Sequence, residues 1–130
     1  MGADAILLIV AILDGRALSS LLAEANEARL PALVEVHSAD EAARAIDAGA
    51  GIIGVNNRDL ITFDVDLATA EGLASRIGGR AIRVAESGIH TPADVRRMAD
   101  AGYDAVLVGE SLVRSDDPAE LIGRFLTAAD

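Results

Sequence analysis

Five short runs of near-continuous apolar residues punctuate the chain: Ile6–Leu13, Ala32–Val36, Ile52–Val55, Ala81–Ala85 and Ala105–Val108. Each is rich in Val, Ile and Leu and does not alternate with polar positions. That pattern predicts strands buried on both faces, as in a parallel sheet flanked by helices. The first run extends up to the breaker Gly15, so it is expected to pass beyond its strand into a loop. Amphipathic stretches separate the runs, and three carry recognisable helix starts. Ser38-Ala39-Asp40-Glu41 reads as a capping box in which Glu41 reaches back to the cap. Thr91-Pro92-Ala93-Asp94 places a cap, a first-turn proline and an acid at the positive helix end, and Asp117-Pro118-Ala119-Glu120 repeats that order. Strands alternating with helices imply right-handed crossovers and an α/β fold.

A finer repeat runs through the helix ends. Ala48-Gly49-Ala50 and Ala101-Gly102-Tyr103 each close a helix with glycine before a strand, where a left-handed backbone is commonly needed. Gly2-Ala3-Asp4 has the same grammar with no helix before it. Residues 1–130 are therefore expected to form one domain, an arc of five βα units. A closed eight-fold barrel needs roughly 200 residues or more. A five-stranded doubly wound parallel sheet is the alternative, and it suits this length.

Composition narrows the chemistry. Apolar residues make up 52% of the chain, enough for a core, and with only Phe63, Tyr103 and Phe125 as aromatics that core is aliphatic. The absence of cysteine excludes disulfides, thiolate metal sites and cysteine nucleophiles. The net charge of −10, with 11 arginines and no lysine, argues against a nucleic-acid groove or an anionic membrane surface. No run is long enough to cross a bilayer and no basic leader precedes one, so a soluble cytoplasmic protein is expected.

Ligands of parallel α/β sheets meet the carboxyl ends of the strands, and the candidate residues lie there. Glu35 sits inside an apolar strand, where burial favours the protonated form and suits acid–base work; a structural carboxylate paired with an arginine is the alternative. His37 shares its face, without a third residue at metal-ligand spacing. Asn56 offers donor and acceptor, and Arg58 a planar fork for carboxylate or phosphate; the alternative is an ordinary turn. Glu86 is a second buried glutamate, followed by Ser87-Gly88, whose backbone an anion can approach. Gly109-Glu110-Ser111 repeats the glycine-then-donor pattern, and two such loops on neighbouring strands suit a phosphate. His90 precedes a cap and is expected to face solvent.

The strings ILLIVAIL, LVEVHS, IGVNNRDL, VAESGI and AVLVGESLV, in this order, resemble indole-3-glycerol phosphate synthase. The resemblance implies the last five units, strands four to eight, of a (βα)₈ TIM barrel. It implies an enzyme of tryptophan biosynthesis that converts 1-(2-carboxyphenylamino)-1-deoxyribulose 5-phosphate to indole-3-glycerol phosphate, with loss of carbon dioxide and water. On that likeness Glu35, Asn56 and Glu86 are catalytic, and Arg58, Ser87, Gly88, Gly109, Glu110 and Ser111 bind substrate, with no cofactor and no metal. Phosphoribosylanthranilate isomerase is the enzymatic alternative, and a non-catalytic phosphate-binding half-barrel the other. The family's catalytic lysines lie on strands this chain does not match, so the chain alone is expected to show little activity. Its open edges suggest a homo-oligomer or a complementing amino-terminal half-barrel.

Overall fold

Each apolar run supplies one strand of a parallel sheet: β1 Ile6–Ile9, β2 Ala32–Val36, β3 Ile52–Asn56, β4 Ile82–Glu86 and β5 Ala105–Leu107. The computed structural model describes residues 2–129. The strands are ordered β1-β2-β3-β4-β5, every neighbouring pair parallel. A doubly wound sheet must reverse its strand order somewhere; this one never does. With right-handed crossovers, an unreversed order places all connecting helices on one face. Val34, Val36, Ile53, Val55 and Ala85 mark that face, each with no exposed surface. The opposite, concave face lacks a cover at its edges and base, where Leu7, Ile82 and Leu107 are about half exposed (49, 52 and 53%). The architecture is an arc of a βα barrel.

Among the described residues the strands alternate with six helices: α1 Gly15–Glu27, α2 Ala39–Asp47, α3 Ala68–Ile77, α4 Pro92–Asp100, α5 Glu110–Arg114 and α6 Pro118–Ala129. The first apolar run does outlast its strand, as Val10–Ile12 form a 3-10 turn. Gly15 is not a breaker; it opens α1, because the Asp14 carboxylate accepts the amides of Arg16 and Ala17. The box at α2 also differs from expectation. Ser38 Oγ caps the Glu41 amide, but the Glu41 carboxylate accepts the His37 amide at 2.8 Å, one residue earlier than a box requires. At α4 the reciprocal box is complete, Thr91 and Asp94 each capping the other's backbone.

Helix exits repeat. Gly49 and Gly102 adopt positive φ (83° and 92°), and the following amides, Ala50 and Tyr103, bond back to Ala45 and Met98 carbonyls at 3.0 Å. This is the Schellman closure. A third copy ends α1, where the Leu30 amide bonds to Ala25 and the left-handed position is held by Arg29 at φ 56°. Glycine patterning misses that copy because an arginine occupies the strained site.

Candidate active site at the carboxyl ends of the strands

Strand register brings the acidic residues together. Glu35 pairs with Gly54, and Asn56 with Glu86, so their side chains share the concave face at one end of the sheet. Gly54 matters because it has no side chain: a Cβ there would collide with the Glu86 carboxyl, and would sit 3.1 Å from Leu33 Cδ1. The missing methyl lets two carboxyls lean toward each other across β3. Both glutamates are 5% exposed, and Glu86 Oε1 has no hydrogen-bond partner. Burial foremost, then the charge of Glu35 and a hydrogen bond with it, push the Glu86 carboxyl up to about 7. At neutral pH the pair therefore holds a transferable proton, the property a general acid–base site requires.

Asn56 is fixed at both ends. Its Nδ2 donates to Glu35 Oε1 at 3.3 Å while its Oδ1 accepts the Arg58 amide at 3.0 Å. Among the described residues neither glutamate forms a salt bridge with an arginine. On the far side of Glu35 lies His37, with Nε2 3.3 Å from Glu35 Oε1 and Nδ1 3.3 Å from Glu41 Oε2.

Beside the carboxyl pair opens a cleft of about 390 Å³, walled by Glu86, Ser87, Gly88, Gly109, Glu110 and Ser111, with Arg58 at its rim. The carboxyl ends of β4 and β5 form it. Ser87 and Gly88 are consecutive left-handed residues (φ 65° and 77°), a turn that folds the backbone sharply away from the strand. Gly88 is required there twice over, since a Cβ would lie 2.6 Å from Val65 Cγ1. Gly109 is different: its φ is −122° and nothing crowds the space where a Cβ would sit. Its bareness leaves room rather than relieving strain.

The charged residues of the cleft are engaged with one another. Arg58 Nη2 lies 3.4 Å from Glu110 Oε2, and Arg114 Nε lies 3.2 Å from Glu110 Oε1. The Ser111 hydroxyl donates to the Ile89 carbonyl at 2.7 Å and sits 2.9 Å from His90 Nδ1. His90 is exposed as expected but lines the cleft, so it belongs to the site's surroundings. One residue the sequence did not single out holds the whole end together. Asn57, 2% exposed, donates from Nδ2 to the Ser87 carbonyl at 3.2 Å and accepts the Ala70 amide at 3.0 Å. Its own amide bonds to the Glu86 carbonyl at 2.8 Å. Adjacent asparagines gave no signal to separate the one facing the site from the one clamping it; strand alternation does, since Asn57 points the opposite way from Asn56.

A buried carboxyl pair beside a glycine-walled cleft, at the carboxyl ends of an unreversed run of parallel strands, is the arrangement of a βα-barrel mouth. The family model for indole-3-glycerol phosphate synthase matches residues 1–125, and the chain belongs to that family. It is 51% identical over 127 residues to the indole-3-glycerol phosphate synthase of Kineococcus radiotolerans, covering 98% of this chain and 46% of that protein. It is 49% identical over 129 residues to indole-3-glycerol phosphate synthase 1 of Streptomyces coelicolor, covering 99% and 48%. The chain thus spans about half the length of the curated relatives it matches. Solved structures agree on the fold: 3-hexulose-6-phosphate synthase superposes with a TM-score of 0.79 at 17% identity, over 98% of this chain and 62% of that one. Thiamine phosphate pyrophosphorylase from Pyrococcus furiosus does so with 0.75 at 19%, over 98% and 59%. Among the described residues, no helix is long and apolar enough to cross a membrane.

Proposed function

We propose that this chain carries the acid–base wall and the phosphate end of an indole-3-glycerol phosphate synthase acting in the cytoplasm. It would work on 1-(2-carboxyphenylamino)-1-deoxyribulose 5-phosphate, closing the indole ring with loss of carbon dioxide and water. The observation that carries the reading is the meeting of Glu35, Asn56 and Glu86 at one strand end, bordering the cleft of Ser87, Gly88 and Gly109. In this reading the substrate's phosphate lies in the cleft against the Ser87-Gly88 and Gly109-Glu110 backbone. Arg58, close to Glu110, turns toward the substrate carboxylate. Glu86, protonated near neutrality, donates a proton to a leaving hydroxyl. Glu35, steadied by Asn56, takes one from the condensing carbon. Each transfer is the kind of step a positioned carboxyl speeds by about 10²–10⁴-fold.

The chain has no lysine, so any ammonium acid the reaction needs comes from another polypeptide segment. The uncovered concave face, with Leu7, Ile82 and Leu107 exposed, is where further barrel strands would seat. Self-association through the same face is the competing arrangement. The experiment is turnover of the carboxyphenylamino substrate by the purified chain, alone and co-expressed with the amino-terminal half of a full-length relative. Activity only in the mixture supports the proposal. Full activity of the chain alone removes the need for a companion, and no activity in a mixture that forms a complex refutes the synthase reading.

A further inference from the structure

Two clefts open near the carboxyl pair. Glu86 borders the first, the one proposed for substrate. The second, about 380 Å³, opens on the other side of Asn56 and is lined by His37, Asn56, Arg58, Asp59, Asp64 and Asp66. Once substrate fills the first cleft, the nearly buried Glu35 and Glu86 lose their direct contact with water and need another way to reload a proton. Along Glu35 the next polar group is His37, whose Nε2 lies 3.3 Å from Glu35 Oε1, buried and with no hydrogen-bond partner, so that a proton arriving on Glu35 would complete the bond; beyond it Glu41 Oε2 meets Nδ1 at 3.3 Å. The His37 side chain is 16% exposed and that of Glu41 20%, so the line rises from a closed interior to a wetted rim. Glu41 also accepts the His37 amide at 2.8 Å, which ties the first turn of α2 to the end of β2 and holds the ring in place. The other charges around the cleft beside this ring are Arg58, Asp59, Asp64 and Asp66, and Asp59, from the loop after β3, feels the ring's charge.

We propose that His37 is the proton port of the site: a positioning residue through which Glu35 and Glu86 exchange protons with solvent on the side away from substrate. The proposal rests on the acid–base reading of the two glutamates. One pass is balanced. The O–H bond of a protonated Glu35 breaks as an N–H bond forms at His37 Nε2. The Nδ1–H bond breaks as its proton moves to the Glu41 carboxylate, and Glu41 releases that proton to water. The reverse pass reloads the pair and restores the ring tautomer. An imidazole is the one neutral side chain that accepts at one nitrogen while donating from the other.

The test uses the chain itself, labelled with ¹³C at the glutamate carboxyls and held at saturating inorganic phosphate so that the first cleft is filled, and reads the proton-exchange rate of Glu86 by relaxation dispersion at its titration midpoint. In His37→Gln, which keeps hydrogen-bonding capacity but cannot relay, the rate falls by about tenfold or more, and free imidazole in the buffer restores it. Glu41→Gln slows exchange in the same direction and serves as the second variant should His37→Gln not fold. An unchanged rate in either folded variant overturns the proposal. So does a slowed rate in His37→Gln that imidazole does not restore, which marks a merely structural role. Failure of the underlying reading looks different: no glutamate of the unaltered chain titrates near neutrality.

Discussion

The raised Glu86 carboxyl makes a prediction about stability that is independent of turnover. A carboxyl whose folded pKa lies above its unfolded value binds its proton more tightly when folded. Its stabilising contribution is fully present below the unfolded value of 4.5 and is lost as pH rises through the folded value of about 7. Between those limits each pH unit removes about 1.4 kcal/mol, a ceiling of about 3 kcal/mol. Glu86 borders an open cleft, so solvent screening reduces the expected loss to about 2 kcal/mol. Glu86→Gln abolishes the titration and puts a neutral donor beside Glu35. Urea unfolding at a series of pH values from 5 to 7.5 should show the native chain losing about 2 kcal/mol relative to the variant, which ends as the more stable protein at pH 7.5. Below pH 5 an opposing effect enters. The Thr62 and Ile61 amides hold Asp59 below its ordinary value, and the Arg97 hydrogen bond does the same for Glu71, so their contributions fade as pH falls. Parallel stability curves for the two proteins between pH 5 and 7.5 would show that the carboxyl pair is not under strain.

Four further outcomes follow from the geometry. Gly54→Ala places a methyl where the Glu86 carboxyl now lies, so Glu86 swings away and its titration, followed by carboxyl NMR, relaxes toward the ordinary glutamate value. Gly88→Ala is strained in φ and collides with Val65, lowering unfolding stability by about 1–3 kcal/mol. Gly109→Ala leaves stability within about 0.5 kcal/mol yet weakens inorganic phosphate binding measured by amide shifts at Ser87 and Gly88. Asn57→Ala breaks two side-chain hydrogen bonds in a buried position and destabilises by about 2–4 kcal/mol in denaturant titration.

Strand positions were legible because parallel strands buried on both faces must be apolar throughout, and all five runs became strands. The glutamates were legible for the converse reason, since Glu35 interrupts one apolar run and Glu86 ends another, where a carboxylate is costly to bury. What escaped was information carried by backbone conformation and long-range partners. Asp14 capping α1, Arg29 standing in for glycine, and Glu41 reaching the His37 amide instead of its own cap all satisfy local donors in ways that residue type leaves open. Asn57 escaped because its partners, Ser87 and Ala70, are distant in sequence. The likeness to a known family supplied roles for the residues, while register alone brought Glu35, Asn56 and Glu86 to one place.

The three matching helix exits, at Arg29, Gly49 and Gly102, have a bearing on how such a molecule can be rearranged. Each of these three turns is closed by two hydrogen bonds within its own few residues, so the units that follow them take their direction locally and borrow nothing from their neighbours to set it. Segments exchanged at the loops that follow the strands, away from those turns, should keep their strands correctly aimed, which makes the arc a stock of exchangeable parts for building closed cylinders of other ancestry.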